Sequence, residues 1–162
     1  MTKNVEAYDC YLRGRDYYDR STREANLLAH QLFTKAIALD PHFASAHVYV
    51  GWTYFTQWSL GWSQDPQVLD LALAAAQQAI AADPLLSDGH RLLGIVYLWK
   101  KQYDLAVAEI ERALALDPNC ADTYCALGDI FNFSGRPAET PELVEKAMRL
   151  NPRADCVYSK HT

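Results

Sequence analysis

Two histidines, His47 and His90, each stand four residues before a glycine, Gly51 and Gly94, and Tyr124 stands four before Gly128. Imidazoles at a fixed register are where a metal site or a general base would begin. A metal needs a third ligand in that register, and His30, His42 and His161 all fall outside it. The pattern therefore reads as half-buried polar rings filling one structural slot. The four cysteines, Cys10, Cys120, Cys125 and Cys156, show no Cys-x-x-Cys pairing and no metal-ligand spacing with histidine. They read as small buried hydrophobes in a reducing cytosol, with no motive for a Cys120–Cys125 bridge. Glu109, Glu111, Glu139, Glu142 and Glu145 fall on the outer faces of helices and read as a solvated convex surface. No glycine-rich phosphate loop, His-Glu-x-x-His or Gly-x-Ser-x-Gly is present. With no nucleophile, base and metal converging, the sequence points to no enzyme, no cofactor and no metal.

The elements that carry these residues are helices in pairs. From Ser87 to Pro118, apolar residues recur at three and four, the spacing that builds one buried stripe on a 3.6-residue turn. Gly94 and Ala106 are small where two helices must approach, and Tyr97 and Ile110 fill the gap. Pro118 cannot continue the second helix because it has no amide hydrogen. The pattern returns 34 residues on, in Leu127, Gly128, Phe131, Ala147 and Pro152. Upstream, Val50, Gly51, Tyr54, Ala72, Ala79 and Pro84 form a third copy, and Gly14, Tyr17, Ala29, Phe33, Ala36 and Pro41 a fourth. The repeats run at about 8–41, 44–84, 87–118 and 121–152, an array over 1–152 followed by a start of an incomplete capping helix or tail at 153–162.

Small residue, aromatic, alanine and proline at this period resemble the tetratricopeptide repeat. The resemblance implies an all-α fold, a right-handed α-solenoid of four antiparallel helix pairs, whose inner face is lined by the first helix of each pair. In that family the inner groove holds extended or helical peptides of partner proteins. Matching groove positions one, four and five residues after each small glycine are Arg15, Tyr18 and Asp19; Trp52, Phe55 and Thr56; Ile95, Leu98 and Trp99; Asp129, Asn132 and Phe133. Arg91 and Cys125, three before their glycines, should also look inward. Family members that bind chaperones grip a C-terminal carboxylate with Lys and Asn. Here those positions hold Tyr11, Arg15, Tyr49, Asp88 and Leu92, of which only Arg15 could serve. A peptide ending in Glu-Glu-Val-Asp is therefore expected not to bind saturably.

Three places depart from the period. Gly14 to Ala29 is 15 residues against 12 for Gly94 to Ala106, which puts extra residues near Asp19 to Glu24, with Ser21 or Thr22 capping the next helix. Gly51 to Ala72 is 21 residues, and the added FTQWSLGWSQDPQ holds Trp58 and Trp62. These tryptophans either cover apolar surface, on a lengthened helix, or contribute to binding. Asp65-Pro66 is a cap and first turn for the helix that follows. In the fourth repeat Thr140 replaces the small alanine and Pro141 follows, which predicts a kink or a helix beginning at Thr140–Pro141. With only RADCVYSKHT after Pro152, too short for a stable covering helix, Leu143, Val144, Ala147 and Leu150 would be only partly covered, as in a piece of a longer protein or a chain that hides this face in a partner.

Bulk properties narrow the partners. The 162 residues are half hydrophobic with formal net charge −5, and Lys and Arg are dispersed, which argues against a phosphate-tracking nucleic-acid surface. No run of about 20 apolar residues appears, so no segment is expected to span a bilayer, and MTKNVEAYDCYLRGRDYY has no secretory signal pattern. The expected location is cytoplasmic. EAYDCYLRGRDYY, FNFSGRPAET and VEKAMRLNPR further resemble the repeat tails behind bacterial class III adenylate/guanylate cyclase domains, and similar tails follow some winged-helix regulators. That resemblance implies a regulatory module of a larger signalling protein, binding a protein or peptide partner. The alternatives are a homo-oligomer formed through the uncovered last helix, or a small-molecule sensor using the Trp58–Trp62 insertion as a lid.

Overall fold

The computed structural model describes residues 2–154 and Cys156. Eight α-helices follow one another among the described residues, with no strand: α1 Val5–Tyr18, α2 Arg23–Leu39, α3 Ala44–Ser59, α4 Val68–Ala82, α5 Ser87–Trp99, α6 Tyr103–Leu116, α7 Ala121–Phe133 and α8 Thr140–Leu150. The fold is all-α, of the α-solenoid class. The chain divides into two compact units at Leu92/Leu93, within α5.

The even-numbered helices all stop by the same device. Asp40, Asp83, Asp117 and Asn151 each precede a proline, which bars them from helical backbone and holds them extended. Each cap amide still donates to the carbonyl four residues back, on Ala36, Ala79, Ala113 and Ala147. Each side-chain oxygen accepts from the backbone amide two residues on, at 3.0–3.2 Å. The proline carbonyls are then claimed from the next helix. His47 Nε2 bonds Pro41 O at 2.9 Å, His90 Nε2 bonds Pro84 O at 2.8 Å, and the Tyr124 hydroxyl donates to Pro118 O at 2.8 Å. A carbonyl only accepts, so each histidine carries its proton on Nε2.

Within each pair the turn needs one left-handed residue. Gly61, Lys101 and Gly135 take positive φ, and the following amides reach back five residues, from Trp62 to Gln57, Gln102 to Tyr97 and Arg136 to Phe131. Ser21 serves after α1, with φ 56°. Asn4 caps α1 by accepting from Ala7 N at 3.0 Å, and Thr22 caps α2 by accepting from Ala25 N at 3.1 Å.

In the first unit Ala7, Cys10, Tyr11, Ala29, Phe33, Ala36, Phe43 and Ala46 form the core between α1, α2 and α3. A Cβ on Gly51 would collide with Leu92 Cδ2, so only glycine lets that leucine lie against α3. In the second unit Leu98, Ala106, Ile110, Leu127, Ile130 and Phe131 pack together. A Cβ on Gly94 would meet Ile110 Cγ1 at 2.7 Å and the Ala106 carbonyl at 3.2 Å.

The second repeat corrects one expectation. Asp65-Pro66 does not open α4. Asp65 Oδ1 accepts from Gln67 N at 2.9 Å, its carbonyl accepts from Val68 N at 3.2 Å, and the helix begins only at Val68. The extra residues are divided between the turn and α3, which at 16 residues outruns the 13 of α5. In the fourth repeat a single 3-10 turn over Pro137–Glu139 leads into α8, and Pro141 sits in its first turn, where no amide donor is needed. Thr140, fully buried, occupies the alanine slot and donates Oγ1 to the Gly128 carbonyl at 3.1 Å. Ala147 is fully buried, contrary to expectation, while Leu143 and Val144 are half-buried and Leu150 is exposed. A fifth helix over 155–162 lies outside the described residues, Cys156 excepted.

Candidate functional site

In the first unit the odd-numbered helices bring together a row of rings and charges. Tyr11, Arg15 and Tyr18 come from α1, Tyr49, Trp52, Phe55 and Thr56 from α3, and Asp88 and Arg91 from the start of α5. The spacing of three or four places each group on one face of its helix. The Arg15 guanidinium lies over the Tyr11 and Tyr49 rings, 5.8 and 5.4 Å from their centroids. Tyr49 stacks edge-on against Tyr11 and Tyr18, each at 5.7 Å. The Tyr18 hydroxyl hydrogen-bonds Thr56 Oγ1 at 3.1 Å. Arg91 lies over Trp52 at 5.0 Å and is anchored by Asp88, 3.0 Å from its Nη2 to Oδ1. Trp52, Phe55 and Trp58 continue as a ladder along α3, with centroids 5.9 and 5.8 Å apart.

The electrostatics suit binding rather than proton transfer. Burial raises the Tyr11, Tyr18 and Tyr49 phenols above their ordinary value, so all three stay neutral donors. Tyr49 and then Tyr11, against the cost of burial, push the Arg15 guanidinium above its ordinary range, so it stays charged. Arg15 is exposed, and no carboxylate lies within ion-pair distance of it among the described residues. Tyr11 and Tyr49 carry this cluster, yet the sequence singled them out only as unsuited to a carboxylate clamp. Their recurrence near Gly14 and Gly51, beside an arginine, was the available signal.

The second unit holds the other groove positions. Trp99 and Phe133, 37% and 45% exposed, pair at 5.3 Å. Asn132 is exposed and Asp129 half-buried. Ile95 is half-buried against a core that includes Leu98, and Leu98 itself is 5% exposed, so it packs rather than lines a surface. Cys125 is also buried, and it forms a disulfide with Cys156, 31 residues away. This corrects both the inward-looking role and the free-thiol reading for that pair. α8 runs back along α7 and returns the chain to its start, a proximity invisible in a search for Cys-x-x-Cys. Cys10 and Cys120 are free.

In the insertion, Trp58 is half-buried at the end of the α3 ladder. Trp62 lines a cavity of about 190 Å³ with Arg23, Asn26, Leu27, Gln57 and Ser63. Asn26 is buried; its amide donates to Thr53 O at 3.3 Å and its Oδ1 has no donor among the described residues. Below it, Thr53 Oγ1 donates to Val50 O at 2.6 Å and so accepts from His30 Nδ1–H at 2.8 Å. No group of three His, Cys, Asp or Glu able to hold a metal occurs among the described residues, and no helix among them is long and apolar enough to cross a membrane.

Residues 87–120 match the tetratricopeptide repeat family. A tetratricopeptide protein of the thermophile Thermus thermophilus, TTC0263, superposes with TM-score 0.79 at 20% identity, over 92% of this chain and 76% of that one. The stretch 87–120 is a tetratricopeptide repeat, set in a fold of the tetratricopeptide type. The crystal structure of MamA shares the repeat fold at TM-score 0.66 and 22% identity, over 91% and 79% of the two chains. The first tetratricopeptide domain of Spaghetti (RPAP3), solved bound to the HSP90 peptide SRMEEVD, does so at TM-score 0.65 and 18% identity, over 82% and 94%. In sequence the repeats are 34% identical over 98 residues to "Putative adenylate cyclase 3" of Rhizobium meliloti strain 1021, covering 60% of this chain and 17% of that protein. The chain therefore spans under a fifth of that relative's length.

Proposed function

We infer that this chain is a non-enzymatic interaction module that holds a peptide segment of a partner protein against the face built by α1, α3 and the start of α5. The observation that carries the reading is Arg15: an exposed guanidinium laid on two tyrosine rings, with no carboxylate within ion-pair distance among the described residues. Around it stand Tyr18, Trp52, Phe55, Thr56 and Arg91. Arginine, tryptophan and tyrosine supply most anchors at interfaces, because they bury much area or fork hydrogen bonds while losing few rotors. The fold supports the reading, since a structural neighbour holds a peptide. Asp129, Asn132, Phe133, Ile95 and Trp99 would add contacts in the second unit. The likeness to a cyclase-named protein supports a regulatory role within a larger bacterial signalling protein, for which the expected location is cytoplasmic.

A peptide-display selection on the purified chain tests this. Sequences enriched on the wild type and lost on Arg15→Ala and on Trp52→Ala, with helical content unchanged, are the expected result. Enrichment indifferent to both substitutions would overturn it. A second reading, a small-molecule sensor, is favoured by the Trp62 cavity with its orphaned Asn26 acceptor. Tryptophan fluorescence that stays flat across a metabolite panel removes it. Self-association is read by light scattering, where a monomer at every concentration excludes it.

A further inference from the structure

We propose that the cavity beside Trp62 binds a small aromatic carboxylic acid that also carries an N–H or O–H donor, an amino or a hydroxy acid. The proposal rests on the small-molecule reading of that cavity and names its ligand class. The cavity belongs to the first unit and shares no residue with the peptide-binding face. Arg23, Asn26 and Leu27 come from the opening turns of α2, and Gln57 from the end of α3. Trp62 and Ser63 are held in place by their amides, which donate to the Gln57 carbonyl at 2.9 and 3.2 Å. The volume is about 190 Å³. At about 30 Å³ per water, that is room for roughly six waters or a molecule of about ten non-hydrogen atoms.

Asn26 sets what such a molecule must offer. It lines the cavity, yet it is only 3% exposed. Its Nδ2 donates to Thr53 O at 3.3 Å, and turning the amide over would set oxygen against oxygen. Oδ1 is therefore the atom left without a donor among the described residues. A buried acceptor in that state is costly, so an incoming N–H or O–H gains a bond that no protein group supplies. The carboxylate follows from Arg23. This side chain is exposed, and no carboxylate lies within ion-pair distance of it among the described residues. Arg23 is also the first residue of the 17-residue α2. Thr22 occupies the Ala25 and Asn26 amides, which leaves those of Arg23 and Glu24 without an acceptor among the described residues. A guanidinium at the positive end of a helix favours a carboxylate, which it grips through forked hydrogen bonds. Trp62 and Leu27 supply an apolar wall for the body of the ligand, and an indole suits a second ring.

The test uses probes that share a phenyl ring and differ at the polar end. L-phenylalanine and L-phenyllactate carry both groups, 3-phenylpropanoate lacks the donor, and phenethylamine lacks the carboxylate. Each is titrated into the full chain and read by tryptophan fluorescence and by the NMR shift of the Asn26 side-chain amide. The expected result is saturable binding of L-phenylalanine, L-phenyllactate or both, at least tenfold tighter than either truncated probe, with the Asn26 amide shifted. Binding of one alone tells the amino acid from the hydroxy acid. Asn26→Leu and Arg23→Gln should each weaken the bound acid at least tenfold. Arg23 is exposed, so its replacement keeps the test valid even if Asn26→Leu disturbs the fold. A truncated probe bound as tightly as the complete acids, or binding unmoved by Arg23→Gln, would overturn the proposal. So would silence from both acids. If some other metabolite then perturbs the Asn26 amide, the ligand class falls and the small-molecule reading stands. If none does, the cavity takes up water alone and both fall.

Discussion

His30 shows how one buried ring records its surroundings. It donates Nδ1–H to Thr53, stacks on Tyr54 at 4.8 Å, and burial lowers its pKa from the ordinary value near 6.5. The unfolded chain binds this proton more readily than the folded one. Its contribution to stability is therefore complete above pH 6.5 and falls as pH drops through that value toward the lower folded pKa. Urea midpoints between about pH 7.5 and 5 should fall more steeply for the wild type than for His30→Gln; parallel curves would refute it. His90, 1% exposed, has a different task, closing the Pro84 carbonyl. His90→Ala should cost about 2–4 kcal/mol in urea unfolding, from a lost hydrogen bond and a cavity. The register of His47, His90 and Tyr124 was visible in the letters, and so was the absence of a third metal ligand. What the rings bond to was not, because the acceptor is the carbonyl of a turn, which leaves no mark in side-chain spacing.

At the scale of the helix, three of the four pair-internal turns end in the same left-handed backstop, and in one of those three the residue is not glycine. Lys101 takes φ 61° where Gly61 and Gly135 stand in the neighbouring turns. A side chain in that conformation costs roughly 1–2 kcal/mol, partly offset because glycine gains more freedom on unfolding. Lys101→Gly should therefore stabilise the chain by about 0.5–1 kcal/mol in urea, and a loss of stability would show that the Lys101 side chain is needed. Helix ends before proline were legible because Asp-Pro and Asn-Pro recur at the period. Turns at Ser21 and Lys101 were hidden by residue types that do not advertise them. Asp65-Pro66 misled for a related reason: it carries the chemistry of a cap but spends it on a turn two residues before α4. Leu98 and Cys125 sat at plausible groove positions by helical phase. Phase alone does not tell groove from core when the next helix pair covers a helix on a second side.

For the molecule as a whole, the repeat period carried the fold, and long-range pairing did not follow from it. The Cys125–Cys156 bond closes a loop spanning a separation of 31 residues. By loop-closure entropy it should contribute about 3–4 kcal/mol to the second unit. Urea unfolding with and without reductant should differ by that amount, and coincident curves would contradict it. Function is a property of the surface in the same sense. Arg15, Tyr18, Trp52, Phe55 and Arg91 were picked out by register, while the stacking on Tyr11 and Tyr49 that makes Arg15 an anchor needed the packed helices. The most direct measurement is a calorimetric titration of one display-selected peptide into the wild type and into Arg15→Ala, Trp52→Ala and the double variant, each checked for unchanged helicity. A peptide bound by the wild type should weaken at least tenfold with either substitution and lose measurable binding with both. Equal affinity across all four proteins would contradict the claim that this face holds the partner.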